Sequence, residues 1–376
     1  MPRPFIRKCR IGIQRTARAA GLSETDAAVQ AEHLRVIGPR IAVIGGGTGL
    51  STLLRGLKEY TENITAIVTV ADDGGGTGVL RQDLGMLAPG DIRNCIMALA
   101  NTEPTMEKLL NYRFTDGYLK GQSFGNLFLA ALNGVYGSFD EAVRRMNEVL
   151  AVTGRVLPVT NENVYLYAAF EDGSTIRGES KIYAHKKAHD CRISHVWLEP
   201  ENPPALQEAI EAIGSAELIV LGPGSLYTSV IPNLLVDGIV DAVASSSAKK
   251  LYIMNIMTQD GETEGYTAFD HVAGILSHAH GKRLFSDCIF NTEPVTEATM
   301  AHYKEEGAVP VEIDRARFEA AGIRLYGFPL VRQIGTMVRH DPKKLARAVM
   351  RVFMSMGPRD SVAEAYERIM LGTQEF

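Results

Sequence analysis

From Arg40 onward, apolar residues come in short unbroken runs, each followed by a polar or glycine-rich loop and then a stretch of helical period. Ile41 to Ile44 is the first run, and Ile64 to Val70, β-branched at most positions, is the second. A parallel sheet buries such runs on both faces. Asp91 to Leu99, after the Pro89-Gly90 punctuation, reads as a helix. Ser138 to Glu141 spells a capping box, with Val143, Met146, Val149 and Leu150 on one helical face behind it. The period then changes. Val156 to Thr160, Val164 to Phe170 and Thr175 to Ile182 read as antiparallel strands, with Glu171-Asp172-Gly173-Ser174 as a hairpin turn. Helix Ala205 to Ile213, closed by Gly214, and strand Glu217 to Leu221 restore the first rhythm. Strands Lys250 to Asn255 and Arg283 to Phe290 continue it, and Asp341-Pro342 opens a last helix through Leu345, Val349, Val352 and Phe353.

The pattern predicts an α/β fold: one doubly wound, mostly parallel sheet with an inserted antiparallel β-hairpin near residues 155–200. Residues 39–376 form a single α/β domain in this reading, and residues 1–38 a basic N-terminal extension. Arg3, Arg7, Lys8, Arg10, Arg15 and Arg18 stand there without an acidic residue before Arg18. An organelle transit peptide shares that composition, but no small-residue cleavage site stands out. A surface extension ending in a helix from a Ser23 N-cap to about Val36 is the preferred reading.

Composition narrows the classes. With 376 residues, 45% hydrophobic and 22% charged, the chain is an ordinary globular one. Its formal charge of -5 lacks the basic footprint of a general nucleic-acid binder. No apolar run approaches the roughly 18 residues that span a bilayer. Cys9, Cys95, Cys191 and Cys288 are scattered without C-x-x-C spacing, which fits a reducing compartment, most simply the cytoplasm.

The candidate loops follow predicted strands, the edge at which open α/β sheets bind ligands. The first holds Gly45, Gly46, Gly47, Thr48, Gly49 and Ser51. Glycine lets backbone N–H groups approach an anion with no Cβ in the way. A helix starting near Gly49 adds partial positive charge, so the phosphates of a nucleotide-type ligand fit here. The run is not the dinucleotide fingerprint, whose third glycine falls on Leu50, nor a Walker loop, since no lysine follows. In the second loop, Asp72 or Asp73 can take ribose hydroxyls, or the adjacent carboxylates can hold Mg²⁺ beside substrate phosphates. Gly74, Gly75 and Thr77 belong to a second glycine run that reads as an anion nest, with Arg81 as a bidentate clamp. The fourth loop, with Gly222, Pro223, Gly224, Ser225, Thr228 and Ser229, repeats the logic of the first. Two phosphate-type loops suggest a diphosphate or two phosphorylated groups. In a fifth, Thr258, Gln259 and Thr263 can line a sugar or base pocket.

Two motifs are discounted. Gly121-Gln122-Ser123-Phe124-Gly125 fits the nucleophile elbow, but Asp116 to Lys120 before it is no buried strand. Ser123 and Asn126 instead offer hydrogen bonds at the start of a helix running Leu127 to Leu132. His185, His189, Cys191 and His195 resemble metal-ligand spacing but lie among Lys186, Lys187 and Arg192, as on a solvated surface segment.

The runs IAVIGGGTGLSTLLRGLK, ITAIVTVADDGGGTGVLR, APGDIRN, LGPGSLYTSVIPNLL and MTQDGETEGYTAFDH, in that order, resemble the motif set of the gluconeogenesis-factor (YvcK-like) family, sister to the CofD-like 2-phospho-lactate transferases. The likeness covers the chain from about Pro39 to the last helix. It implies a Rossmann-like fold, a cytoplasmic location and a nucleotide-sugar ligand such as UDP-N-acetylglucosamine. It also implies a role in cell shape and envelope precursor supply during gluconeogenic growth. By motif match the ligand loops are Gly45 to Ser51, Asp72 to Thr77 and Gly222 to Ser229, with Asn94 and Asn126 nearby. Two positions depart from the pattern: Val79 stands where an arginine is common, and Gln122 where a histidine is usual.

The leading expectation is a nucleotide-sugar-binding regulatory factor without turnover, since no histidine or lysine sits in the glycine loops as acid, base or nucleophile. This reading requires no cofactor, no nucleic acid and no membrane span. It leaves open a homo-oligomer and protein partners. The alternatives are a Mg²⁺-dependent transferase of the 2-phospho-lactate type, with Asp72 and Asp73 on the metal, and a NAD-linked sugar epimerase or dehydrogenase, weakened by Leu50.

Overall fold

Short apolar runs become strands wherever both faces can be covered. In the computed structural model β1 (Ile41–Gly45), β2 (Ile64–Val68) and β3 (Arg155–Pro158) come first. The chain then leaves for a separate small sheet of β4 (Tyr165–Phe170), β5 (Thr175–Arg177) and β6 (Ile193–Glu199). It returns with β7 (Leu218–Leu221), β8 (Lys249–Ile253), β9 (Asp287–Asn291) and β10 (Arg324–Phe328), and ends in a hairpin of β11 (Val331–Ile334) and β12 (Met337–His340). The structure describes residues 24–371 apart from 190, 306, 358–363 and 365. The six basic residues from Arg3 to Arg18, Cys9 and the Ser23 cap lie outside them, and the helix expected behind that cap is Glu24–Val36.

The main sheet runs β3-β2-β1-β7-β8-β9-β10, with every neighbouring pair parallel. Its first three strands run outward one way and the next four the other way. This is a Rossmann-like doubly wound order, reversing between β1 and β7. Ile41 stands level with Ile64 on one side and with Leu218 on the other. All of β1 and β7 is buried, as expected of strands covered by helices on both faces. Helix Gly47–Leu57 packs between Pro89–Leu99 and Pro342–Ser355. The last helix is capped as its sequence predicts: the Asp341 carboxylate accepts the Lys343 and Lys344 N–H groups at 2.9 and 3.0 Å.

Several expectations change. Strand β3 joins the edge of the main sheet in parallel with β2; it alternates because an edge strand is only half covered. The insert is a three-stranded antiparallel sheet ordered β5-β4-β6, not a hairpin alone. Its second arm ends at Arg177, because Gly178 turns the backbone to φ +97° and Glu179–His189 is a helix. Ser138 begins its helix without a side-chain cap, while Glu141 pairs with Arg144 and Arg145 instead. Gly214 lies inside helix Gln207–Ser215 rather than ending it.

Candidate functional site

The sheet order places the first and fourth glycine loops side by side, since β1 and β7 are neighbours. Gly46 caps the helix in extended conformation and Gly47 opens it at φ +67°, two residues earlier than the sequence suggests. The loops touch so closely that a Cβ on Gly49 would lie 2.5 Å from the Pro223 carbonyl oxygen. A Cβ on Gly46 would lie 2.5 Å from an Asp91 carboxylate oxygen. Asn233 fixes the pair: its buried amide donates to the Gly45 carbonyl at 3.1 Å and to that of Ser229 at 2.8 Å. Thr48 is exposed at the rim, and the Ser51 hydroxyl donates to its carbonyl at 3.0 Å.

The fourth loop is braced by the fifth. The Ser225 hydroxyl donates to Gln259 Oε1 at 2.7 Å, and Asn255 donates to the Gly224 carbonyl at 3.0 Å. Glu262 accepts the N–H groups of Tyr227 and Thr228 at 2.8 and 3.0 Å, and its other oxygen, Oε2, is buried without a protein partner. Thr258 instead faces its own scaffold, exchanging hydrogen bonds with the Val309 backbone at 2.7 and 2.9 Å.

In the second loop the two aspartates diverge. Asp72 accepts the Gly74 N–H at 2.8 Å and the Thr77 hydroxyl, beside Gly90. Asp73 accepts the Ser180 N–H at 3.0 Å and lies against Gly178, so it is tied to the insert. Gly75 begins the helix behind them at φ +47°. Arg81 is buried, donating to the carbonyls of Ala71, Asp72 and Val164 at 3.3, 3.0 and 2.6 Å and to Asn163 at 2.8 Å, with its guanidinium over the Tyr165 ring. That set braces the main chain of the loop from behind. The Gly121-Gln122-Ser123-Phe124-Gly125 segment adjoins it: a Cβ on Gly76 would lie 2.8 Å from Gln122 Oε1. Ser123 caps helix Phe124–Tyr136 by accepting the Asn126 N–H at 3.3 Å, and the Asn126 side-chain oxygen is buried without a protein partner.

Three carboxylates that the loop reading omits, Asp91, Glu179 and Glu262, converge with Asp72 on this edge. Burial, and then the charge of Asp72, pushes the Asp91 carboxyl up to about 7 against the opposing Gly47 N–H. Burial pushes Glu262 up to about 7 despite its backbone donors. Glu179 is raised well above the usual carboxylate range by burial and by the charges of Asp72 and Asp91. Asp72 is raised too, chiefly by burial. A carboxyl accepts from a sugar or ribose hydroxyl when ionised and can also donate to one when protonated, so a cluster raised in this way suits hydroxyl-rich ligands. Asp91 was legible in the APGDIRN run, and half-buried Asn94 follows it one turn along the same helix. Glu179 was not, because the insert carries it in from a segment read as strand.

The residues do not favour an Asp72–Asp73 grip on Mg²⁺, since the two carboxylates answer to different partners. Among the described residues, no group of three or more His, Cys, Asp or Glu side chains stands close enough to hold a metal ion. Nor is any helix among them long and apolar enough to cross a membrane.

Comparison with known proteins agrees with the motif order. The family model described as 2-phospho-L-lactate transferase CofD matches residues 41–331. A relative from Thermoanaerobacterium thermosulfurigenes is 55% identical over 313 residues, 83% of this chain and 96% of its own length. The gluconeogenesis factor of Bacillus subtilis is 46% identical, covering 82% of this chain and 96% of the relative. The crystal structure of protein BH3568 from Bacillus halodurans superposes with a TM-score of 0.80 at 44% identity, over 83% of this chain and 99% of that one.

Proposed function

The chain belongs to the gluconeogenesis-factor family, and from that premise we propose that its switch-point cleft binds a nucleotide sugar of the UDP-N-acetylglucosamine type. In this reading the protein is a cytoplasmic regulatory factor that senses the ligand without turning it over. It links gluconeogenic growth to cell shape and envelope precursor supply. The observation that carries the proposal is the contact of two glycine loops where the sheet order reverses, with Gly49 against Pro223. Backbone N–H groups of the loop Gly45 to Ser51, with those of Gly224 and Ser225 in the fourth loop, would hold the diphosphate. Asp72, Asp91 and Asn94 from one side, and Gln259 from the other, would take hydroxyls of ribose or sugar. Arg81 and Asn233 act behind the loops as positioning residues.

The CofD family match keeps a second reading in view, a transferase of a phosphorylated group supplied as a nucleotide diphosphate. Mg²⁺ would there come with the diphosphate, needing one or two carboxylates, and Asp72 is the member of the pair not tied to the insert.

A thermal-shift panel with UDP-N-acetylglucosamine, UDP, NAD and GDP, each with and without Mg²⁺, separates the readings. The nucleotide-sugar proposal expects the largest rise in Tm with UDP-N-acetylglucosamine, a smaller one with UDP, and none with NAD. A rise only with GDP and Mg²⁺ supports the transferase and overturns the leading reading.

A further inference from the structure

The outer face of the small sheet carries aromatic rings that its packing does not require. Along β4, Leu166, Ala168 and Phe170 point inward and are buried, while Tyr165 and Tyr167 alternate with them and stay half-buried. Tyr167 is the cross-strand partner of Arg177 on β5 and of Trp197 on β6, so the three side chains stand in one row. Tyr167 and Trp197 stack with ring centres 5.4 Å apart, and His195 continues the stack at 5.3 Å. The Arg177 guanidinium lies 3.9 Å over the Tyr165 ring and 6.0 Å from that of Tyr167, and Arg81 meets Tyr165 at 4.5 Å. This face therefore already holds two guanidiniums against its rings. A cavity of about 900 Å³ opens over it, lined by Tyr165, Tyr167, Trp197, Arg177, Glu199 and Glu201 among others. The Tyr167 hydroxyl faces Glu199. Both glutamates are exposed and, among the described residues, neither forms an ion pair.

We propose that this cavity binds arginine side chains of the chain's own basic stretch, Arg3 to Arg18. Charge favours that occupant. The lining offers two carboxylates against one guanidinium that the rings already engage, so a further cation is preferred there. Arg3, Arg7, Lys8, Arg10, Arg15 and Arg18 follow one another with no acidic residue among them. The chemistry agrees. A guanidinium is planar and weakly hydrated, so it lies flat on an aromatic ring while its N–H edge reaches a carboxylate. Trp197 beside Glu199 and Glu201 supplies both partners. A single nucleic-acid strand, another usual occupant of aromatic sheet faces, is disfavoured by the same two carboxylates. Reach is sufficient. The residues before Glu24 number 23, which at about 3.3 Å each span up to ~75 Å. A domain of this length has a radius of gyration on the order of 20 Å, so any face is accessible to them. Because the stretch is tethered to its target, several individually weak contacts suffice. The proposal is independent of what the cleft binds.

Trp197 is the chain's only tryptophan, so its emission reports on this face. The full-length variant with Arg3, Arg7, Lys8, Arg10, Arg15 and Arg18 all changed to Gln should show a Trp197 spectrum shifted from that of the wild type. Titrating this variant with a synthetic peptide of residues 1–20 should restore the wild-type spectrum saturably. Adding Glu199→Gln/Glu201→Gln should weaken the peptide at least tenfold and leave the circular dichroism spectrum unchanged, since both carboxylates are exposed. Identical spectra for the wild type and the six-Gln variant, with no response to the peptide, overturn the proposal. So does a peptide that binds equally well without the two glutamates. A control peptide with its six basic residues replaced by Gln, binding as tightly as the native sequence, overturns it too. Should the glutamate variant lose its fold, acrylamide quenching of Trp197 decides, between about 0.1 and 1 M salt, where the screening length falls from roughly 10 to 3 Å. Quenching that rises with salt in the wild type but not in the six-Gln variant supports the proposal, and quenching that salt changes equally in both overturns it.

Discussion

At the scale of single residues, the site combines glycines that cannot be replaced with carboxyls that resist ionisation. Gly49→Ala would drive a methyl group to within 2.5 Å of the Pro223 carbonyl, where backbone, not a flexible side chain, must yield. Overpacking of this kind costs about 1–3 kcal/mol, so the variant should melt lower and bind ligand at least tenfold more weakly. Unchanged melting would show that the two loops are not in contact. Asp91 gives a test by pH. A carboxyl whose folded pKa is raised binds more protons in the folded state. Its stabilising contribution is therefore complete below its unfolded value of 3.8 and is lost as pH rises through about 7. Between pH 5 and 7.5 the wild type should lose more Tm than Asp91→Asn does. Parallel curves for the two proteins would contradict the burial of that carboxyl. The glycines were legible in the sequence because glycine runs behind a strand have few other uses. Asp91 sat in a quoted motif without a role, since its surroundings are set by Gly46 and Gly47 of the first loop and by Asp72 of the second.

At the scale of elements, local pattern and tertiary contact divide the outcome. Strands β1, β2 and β7 and helix Pro342–Ser355 follow from periodicity and caps. The insert did not, because its fate turns on long-range partners. Helix Glu179–His189 docks on the fifth loop through the 2.8 Å ion pair of Lys187 with Asp260, the Tyr183 hydroxyl at 3.4 Å from the same carboxylate, and Tyr183 packed on Gly261. With Asp73 holding Ser180, the helix joins the second and fifth loops and delivers Glu179 between them. A solvent-exposed pair adds little stability by itself, but loss of this docking should loosen one unit rather than the fold. Tyr183→Ala/Lys187→Ala is expected to raise proteolytic cleavage within residues 171–192 several-fold while leaving the global Tm nearly unchanged. Cleavage no faster than in the wild type would mean that the insert is held from elsewhere.

At the scale of the whole molecule, one topological fact organises the site. The doubly wound order, reversing between β1 and β7, brings together glycine loops that lie about 180 residues apart in the chain. The fold class and the parallel sheet were readable from the alternation of apolar runs and helical stretches. Two like loops already suggested one diphosphate site, but that β1 and β7 lie side by side was not readable, because strand order is decided by packing rather than by any local pattern. Arg81 shows the same limit: its motif suggests a clamp for phosphate, whereas its guanidinium grips main-chain carbonyls. This paired-loop cleft is the proposed seat of a nucleotide sugar. Titration calorimetry of the wild-type protein with UDP-N-acetylglucosamine tests it most directly. Saturable binding at one ligand per chain, displaced by UDP but not by NAD, is the predicted result. No measurable heat at millimolar ligand, or binding that NAD displaces and UDP does not, would contradict it.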